Sequence, residues 1–194
     1  MSFVNLVSGG LDSTLIGVMA KEDHIDQFPL FVDYGQRAAA KEWATCQAVH
    51  RQLELPKPTK IDLNGFGQVI VSGLTNAGMD IKDDAFTPGR NLMFLLMGSA
   101  YAYQVGASSV AIGLLAEQFS LFPDQRQSFL VLAEQAIAAA MGYQIKILTP
   151  LIEFGKADVV RLATEKGVSG TYSCHTGDIQ PCGRCIACLE FQFN

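Results

Sequence analysis

Phe3-Val4-Asn5-Leu6-Val7-Ser8-Gly9-Gly10-Leu11-Asp12-Ser13-Thr14-Leu15-Ile16-Gly17-Val18-Met19-Ala20 is the stretch that decides the fold. A short apolar run of strand character ends in two glycines and gives way to a helical pattern. Glycine lets the backbone approach an anion closely, and the unpaired amides of a first helical turn point toward it. Ser8, Ser13 and Thr14 add hydroxyl donors, and Asp12 suits a divalent cation or a helix cap. The segment therefore predicts a phosphate cradle built from Ser8, Gly9, Gly10, Leu11, Asp12, Ser13 and Thr14. No lysine follows the glycines, so this is not the G-x-x-x-x-G-K-[ST] loop, and G-x-G-x-x-G does not match either. The same residues also fit a plain strand-to-helix turn with a polar cap.

Working outward, strands are expected at 3–7, 28–32, 59–63, 108–113 and 143–148. Helices are expected at 11–21, 38–53, 90–104, 129–141 and 156–166. Strict alternation of the two predicts an α/β, Rossmann-like parallel sheet with helices on both faces. The polar segment 74–89 reads as a mobile surface loop, a lid over the site. Ligands of open parallel sheets bind beyond the carboxyl ends of the strands, which gathers Ser8 to Ser13, 33–37, Gly113 and 150–151 around one crevice.

A chain of 194 residues is most simply one domain, with 49% hydrophobic and only 17% charged residues. That balance suits a sheet covered on both faces and points to an apolar oligomer interface, here a homodimer. The formal net charge of −5 argues against broad contact with a polynucleotide, so nucleic acid is not an expected partner. The longest apolar stretch, 92–103, is interrupted by Gly98 and Ser99 and is too short to span a bilayer. Met1 and Ser2 lead into the first strand without a basic, secretory-type start, and a cytoplasmic location is expected.

Cysteines in that setting favour metal binding over disulfides. Cys174, Cys182, Cys185 and Cys188 form C-x7-C-x2-C-x2-C, with Gly183 relieving the knuckle between the second and third. Four thiolates with no open position describe structural zinc; an iron–sulfur cluster and a set of free thiols are the alternatives. Cys46 lies on an apolar helix face as a core thiol, and His175 reads as a loop residue beside a ligand. The expected organisation is a nucleotide-binding α/β unit at 1–170 and a four-cysteine zinc tail at 171–194, within one compact domain.

The chain as a whole resembles the 7-cyano-7-deazaguanine synthases, ATP-dependent ligases of queuosine biosynthesis in the ATP pyrophosphatase (PP-loop) superfamily, whose pyrophosphate loop is SGGxDS. The match rests on Ser8 to Thr14, Asp33-Tyr34-Gly35-Gln36-Arg37, Pro88-Gly89-Arg90-Asn91 with Phe94-Leu95, and Phe122-Pro123-Asp124 with Arg126 and Phe129. Thr149-Pro150-Leu151-Ile152, Lys156-Ala157 and the cysteine tail complete it. The resemblance implies the adenine nucleotide alpha hydrolase-like fold with a C-terminal zinc knuckle. It also implies that a carboxylate of 7-carboxy-7-deazaguanine is adenylated and converted with ammonia to the nitrile. ATP, Mg²⁺ and Zn²⁺ are the implied cofactors. Asp12, Ser13 and Arg90 are the implied catalytic residues; Val32 and Tyr34 would pack on adenine, and Gly113, Arg37 and Lys156 would border the nucleotide. Arg90, Asn91, Glu117, Gln118, Phe122, Asp124 and Arg126 would face the substrate.

Departures from the family pattern cluster in substrate territory. A polar stretch that ends in Asp is replaced by Leu114-Leu115-Ala116-Glu117-Gln118, and Leu121, Gln125 and Ala38 stand for Gly, Cys and His. A carboxylate accepts two hydrogen bonds from the amidine-like edge of a guanine, whereas a carboxamide offers one acceptor and one donor group. Glu117 is the neighbouring acid that could take over. Other readings are therefore kept: a divergent paralogue acting on another carboxylate or deazaguanine derivative in DNA modification or phage defence, a PP-loop tRNA-modifying or sulfur-transferring enzyme, and a non-enzymatic nucleotide-binding module. The acidic balance disfavours tRNA, and retention of Asp12, Ser13, Arg90, Asn91 and the four cysteines disfavours decay to a binding module.

Overall fold

A computed structural model describes residues 2–191; position 1 and positions 192–194, the extreme ends of the two expected segments, lie outside the described residues. Strand β1 (Ser2–Val7) sends Val4 and Leu6 to one side of the sheet and Phe3, Asn5 and Val7 to the other, as the period of two demands. Strand β2 (Asp26–Asp33) and β4 (Ser109–Ala111) flank it in parallel, with Val4 in register with Phe28 and with Val110. Strands β3 (Thr59–Asp62) and β5 (Lys146–Leu148) close the edges in the order β3-β2-β1-β4-β5. Chain direction across the sheet reverses between β1 and β4, and a crevice opens there beyond the strand ends.

Helices α1 (Leu11–Glu22), α2 (Ala39–Gln52) and α6 (Lys156–Glu165) cover the Phe3 side. Leu15, Ile16, Leu151 and Val159 are buried there. Helices α4 (Arg90–Val105) and α5 (Gln127–Met141) cover the opposite side, with Leu95, Ala102, Leu130 and Ile137 on Val4, Leu6 and Val110. Each fully buried aliphatic side chain of this kind contributes about 1.5–3 kcal/mol. A Cβ on Gly98 would lie 2.5 Å from Val110 Cγ2, so a missing side chain is what lets α4 settle on the sheet. No helix among the described residues is long and apolar enough to cross a membrane.

Strand β2 runs through Pro29, which the pattern allows because β3 comes alongside only from Leu30 onward. Strands β4 and β5 are shorter than expected, at three residues each. Helices α3 (Asn64–Val69) and α7 (Ile186–Glu190) were not anticipated; neither is long enough to display a period. The largest correction concerns 74–89. Instead of a mobile lid it is a folded wall, with Leu74, Ile81 and Ala85 buried against the tail cysteines. Its acids turn the chain: Asp80 Oδ1 accepts from the amides of Lys82 at 2.7 Å and Asp83 at 2.8 Å. Ser72 and Thr87 clamp the two ends through their hydroxyls at 2.7 Å.

Candidate active site

The phosphate cradle is shaped by what lies behind it. Gly9 holds φ +79°, and a Cβ there would meet Cys46 N and Glu42 O of α2 at 2.8 Å each. Only glycine fits that turn beneath the helix backbone. Gly10 then opens α1 with no side-chain cap, so the first-turn amides are available to a ligand. Internal bonds stiffen the loop: Thr14 Oγ1 donates to Gly10 O at 2.8 Å, and Gly10 N to Ser8 Oγ at 3.2 Å. Buried Asn5 donates through Nδ2 to Ser13 O at 3.2 Å, coupling the strand to the start of the helix.

A cavity of about 320 Å³ lies in front of this loop, at the carboxyl ends of β1, β2 and β4. Ser8, Gly10, Leu11, Asp12, Ser13, Val32, Tyr34, Arg90, Asn91, Gly113, Phe122 and Lys156, all singled out from sequence, line it. Gly9 and Thr14 support the loop from behind and do not line the cavity. Lys156, the first residue of α6, reaches Asp12 with Nζ 2.8 and 3.0 Å from its two carboxylate oxygens. Glu190, at the end of α7, approaches the same ammonium at 3.4 Å. Burial pushes the Glu190 carboxyl up, against the opposing pull of Lys156. Arg90 lies over the Phe94 ring at 5.7 Å, and Asn91 Nδ2 donates to Asp124 O at 2.9 Å.

Five expected site residues sit elsewhere. Arg37 turns into the 72–87 wall and donates through Nη1 to Gly73 O at 3.2 Å. Glu117 accepts the Gln127 amide at 3.3 Å, holding the start of α5, and Gln118 is exposed. Asp124 and Arg126 also lie off the cavity lining; Asp124 contributes its backbone carbonyl to Asn91. Loop geometry decides this: Gln125 Oε1 accepts the amides of Leu121 and Phe122 at 2.8 and 2.9 Å, winding 120–126 into a tight turn.

A family model described as Queuosine biosynthesis protein QueC matches residues 2–192. The chain belongs to this family. It is 36% identical over 200 residues to the 7-cyano-7-deazaguanine synthase of Nitratiruptor sp., covering 97% of this chain and 90% of the relative. Identity to the Campylobacter concisus protein of the same name is 32% over 197 residues, with 95% and 89% covered. Among solved structures, NMN synthetase from Francisella tularensis is similar with a TM-score of 0.54 and 16% identity, over 93% of this chain and 70% of that one. A likeness at that identity speaks to the fold.

The cysteine tail of this QueC-family chain gathers all four sulfurs within 4.8 Å of one another. A tetrahedral Zn–S₄ site needs sulfurs about 3.8 Å apart, and Cys182 and Cys188 stand at 3.9 Å. Backbone amides support thiolates here, with Cys182 N donating to Cys174 Sγ at 3.2 Å and Cys188 N to Cys185 Sγ at 3.4 Å. The donor set and geometry fit a metal ion.

Three cavity groups escaped the sequence reading. Glu42, in the first turn of α2, faces the cavity and accepts from Gln36 Nε2 at 2.9 Å. His175, expected as a loop residue beside a ligand, has its Nδ1 sealed from solvent, and burial lowers its pKa to about 4, keeping the ring neutral. Glu190 lies two positions past the last cysteine and carried no motif.

Burial raises Glu42 from 4.5 to about 7. As pH rises the unfolded chain then loses this proton before the folded one does, so stability falls between about 4.5 and 7. Glu42→Gln is expected to melt higher than the parent above neutral pH, with the gain shrinking toward pH 4.5. A melting difference that stays constant across that range would contradict it.

Proposed function

We propose that the chain is an ATP-dependent ligase that adenylates the carboxylate of 7-carboxy-7-deazaguanine and, with ammonia, converts it to the nitrile. The carrying observation is that the uncapped start of α1, Lys156 and Arg90 converge on one cavity in a chain of this family. A carboxylate is a poor electrophile because hydroxide leaves badly. Transfer of AMP to its oxygen creates a leaving group, ammonia displaces it, and a second adenylation of the amide oxygen allows dehydration. The amides of Leu11 to Ser13 and the hydroxyls of Ser8 and Ser13 would hold the departing pyrophosphate. Lys156 would exchange its Asp12 partner for phosphate, freeing Asp12 for Mg²⁺, which neutralises pyrophosphate charge when bound. Val32 and Tyr34 would pack on adenine; Arg90 and Asn91 would face the acidic substrate, with Phe122 against its ring. Ser13 stays at the splitting bond as a donor. The alternative substrates and the tRNA-modifying reading have no observation favouring them over this one.

The metal would be zinc, held by Cys174, Cys182, Cys185 and Cys188 as structure, with 1–170 forming the nucleotide unit and 171–194 the tail. A cytoplasmic location accords with that chemistry. The homodimer would use the outer face of α4 and α5, where Tyr103 is 60% and Leu132 64% exposed.

Metal-loaded protein given ATP, Mg²⁺, ammonium and the carboxy-deazaguanine should release AMP, pyrophosphate and nitrile, and Lys156→Ala should cut kcat/KM by about 10²–10³-fold. Absence of nitrile from active-site-titrated, folded protein sinks the reading. Removing the metal with a chelator should cost on the order of 4 kcal/mol or more and expose 72–87 and the tail to hydrogen exchange before the sheet; unchanged protection there would speak against a structural metal. Sedimentation should give twice the chain mass, with Leu132→Glu shifting it to monomer, and a monomeric parent at high concentration would refute the dimer.

A further inference from the structure

Glu42 reaches from the first turn of α2 into the main cavity, whose lining it shares with Arg90, Asn91 and Phe122. Gln36 fixes it there. The Gln36 carboxamide accepts the Tyr34 amide at 2.9 Å, donates to Val32 O at 3.5 Å and donates to Glu42 Oε2 at 2.9 Å. The end of β2 thus positions the carboxylate. Among the described residues Gln36 is its one hydrogen-bond partner, which leaves Oε1 for a ligand.

The acids of the cavity fall into two groups. Asp12 and Glu190 share the Lys156 ammonium. Glu42 has no cation within ion-pair distance among the described residues, and Arg90 acts on it from farther off. Asp33, Tyr34 and Cys46 are the other titratable groups that face it, and none of them carries positive charge.

A nucleotide and a carboxylate are anions, and Lys156 and Arg90 suit them. The nitrogen donor makes the opposite demand. In neutral water ammonia is mostly ammonium, a compact cation without a lone pair. It is drawn by negative charge, and it attacks only after giving up a proton. Arg90, proposed above to face the acidic substrate, is within electrostatic reach of Glu42. The acid therefore stands at the end of the substrate where the new bond forms, away from the far edge of its ring.

We propose that Glu42 is a further catalytic residue, holding ammonium beside the acyl-adenylate and taking a proton from it. This rests on the adenylation proposed above. One N–H proton passes to Glu42 Oε1, and the lone pair released forms the C–N bond. The C–O bond to AMP breaks with its electron pair going to the AMP phosphate, which takes the second proton as the neutral amide forms. Glu42 returns its own proton to solvent before the next turnover.

The test uses metal-loaded protein and two assays. Exchange of labelled pyrophosphate into ATP, with 7-carboxy-7-deazaguanine and no ammonium, reports adenylation alone; nitrile formation with ammonium reports the whole sequence. Glu42→Gln keeps an acceptor for Gln36 and should lower nitrile formation by about 10²-fold or more, with exchange changed by less than about threefold. The deficit should shrink as pH rises and free ammonia replaces ammonium, and Glu42→Asp should restore part of the rate. Melting temperature and metal content of both variants report folding. An active parent whose Glu42→Gln variant loses exchange and nitrile formation equally, keeps both, or shows a deficit independent of pH overturns this proposal alone. A parent that neither exchanges pyrophosphate nor releases AMP overturns the adenylation reading and this proposal with it.

Discussion

The backbone of α2 presses on Gly9 so closely that no side chain fits between them, and the site is built around that contact. Because Glu42 O and Cys46 N occupy the space behind the turn, the loop's amides are forced toward the opposite side, where the cavity lies. The same peptide is gripped from a third direction, since Tyr172 N donates to Gly9 O at 3.0 Å. Strand β1, helix α2 and the start of the cysteine tail therefore meet at one residue. A shift in any of them is felt by the loop that would hold the phosphates.

Charge in the cavity is balanced before any ligand arrives. Asp12, Lys156 and Glu190 form one chain of opposite signs, and Lys156 also rests 4.9 Å from the Phe191 ring. Arg90 stands apart, near Tyr34, whose hydroxyl is pushed up by burial and pulled down by that guanidinium. Buried ion pairs contribute little net stability, because each charge has lost its hydration. Their value here is positional: the Lys156 ammonium and the Asp12 carboxylate hold one another beside the glycine turn.

The tail behaves as a second core that hydrophobic content alone could not supply. Cys174, Cys185 and Cys188 pack with Ala38, Leu74, Ile81 and Ala85, so the knuckle and the 72–87 wall bury one another. Four thiolates brought this close repel when ionised, and a metal ion converts that repulsion into cohesion. The wall borders the cavity through Leu74 and Ala85, and the tail borders it through His175, Ala187 and Glu190. The cysteine cluster, distant from the glycine turn in sequence, thus shapes part of the cavity wall.

Local signals were legible because they act over a few residues. The strand–glycine–helix order at 3–20, the parallel alternation, and the cysteine spacing each follow from bond geometry or ligand reach within one short segment. Strand ends and the short helices α3 and α7 were not, since three to six residues carry too few periods to read. The polar 74–89 segment misled because its acids serve turns while Leu74, Ile81 and Ala85 find their partners a hundred residues away. By itself the amino-acid sequence determined the sheet, the phosphate turn and the sulfur set. Only the tertiary structure decided which titratable groups share the cavity: Glu42, His175 and Glu190 enter it while Arg37 and Glu117 leave it, because a side chain's neighbours are chosen by how distant elements pack, and no short-range pattern encodes that.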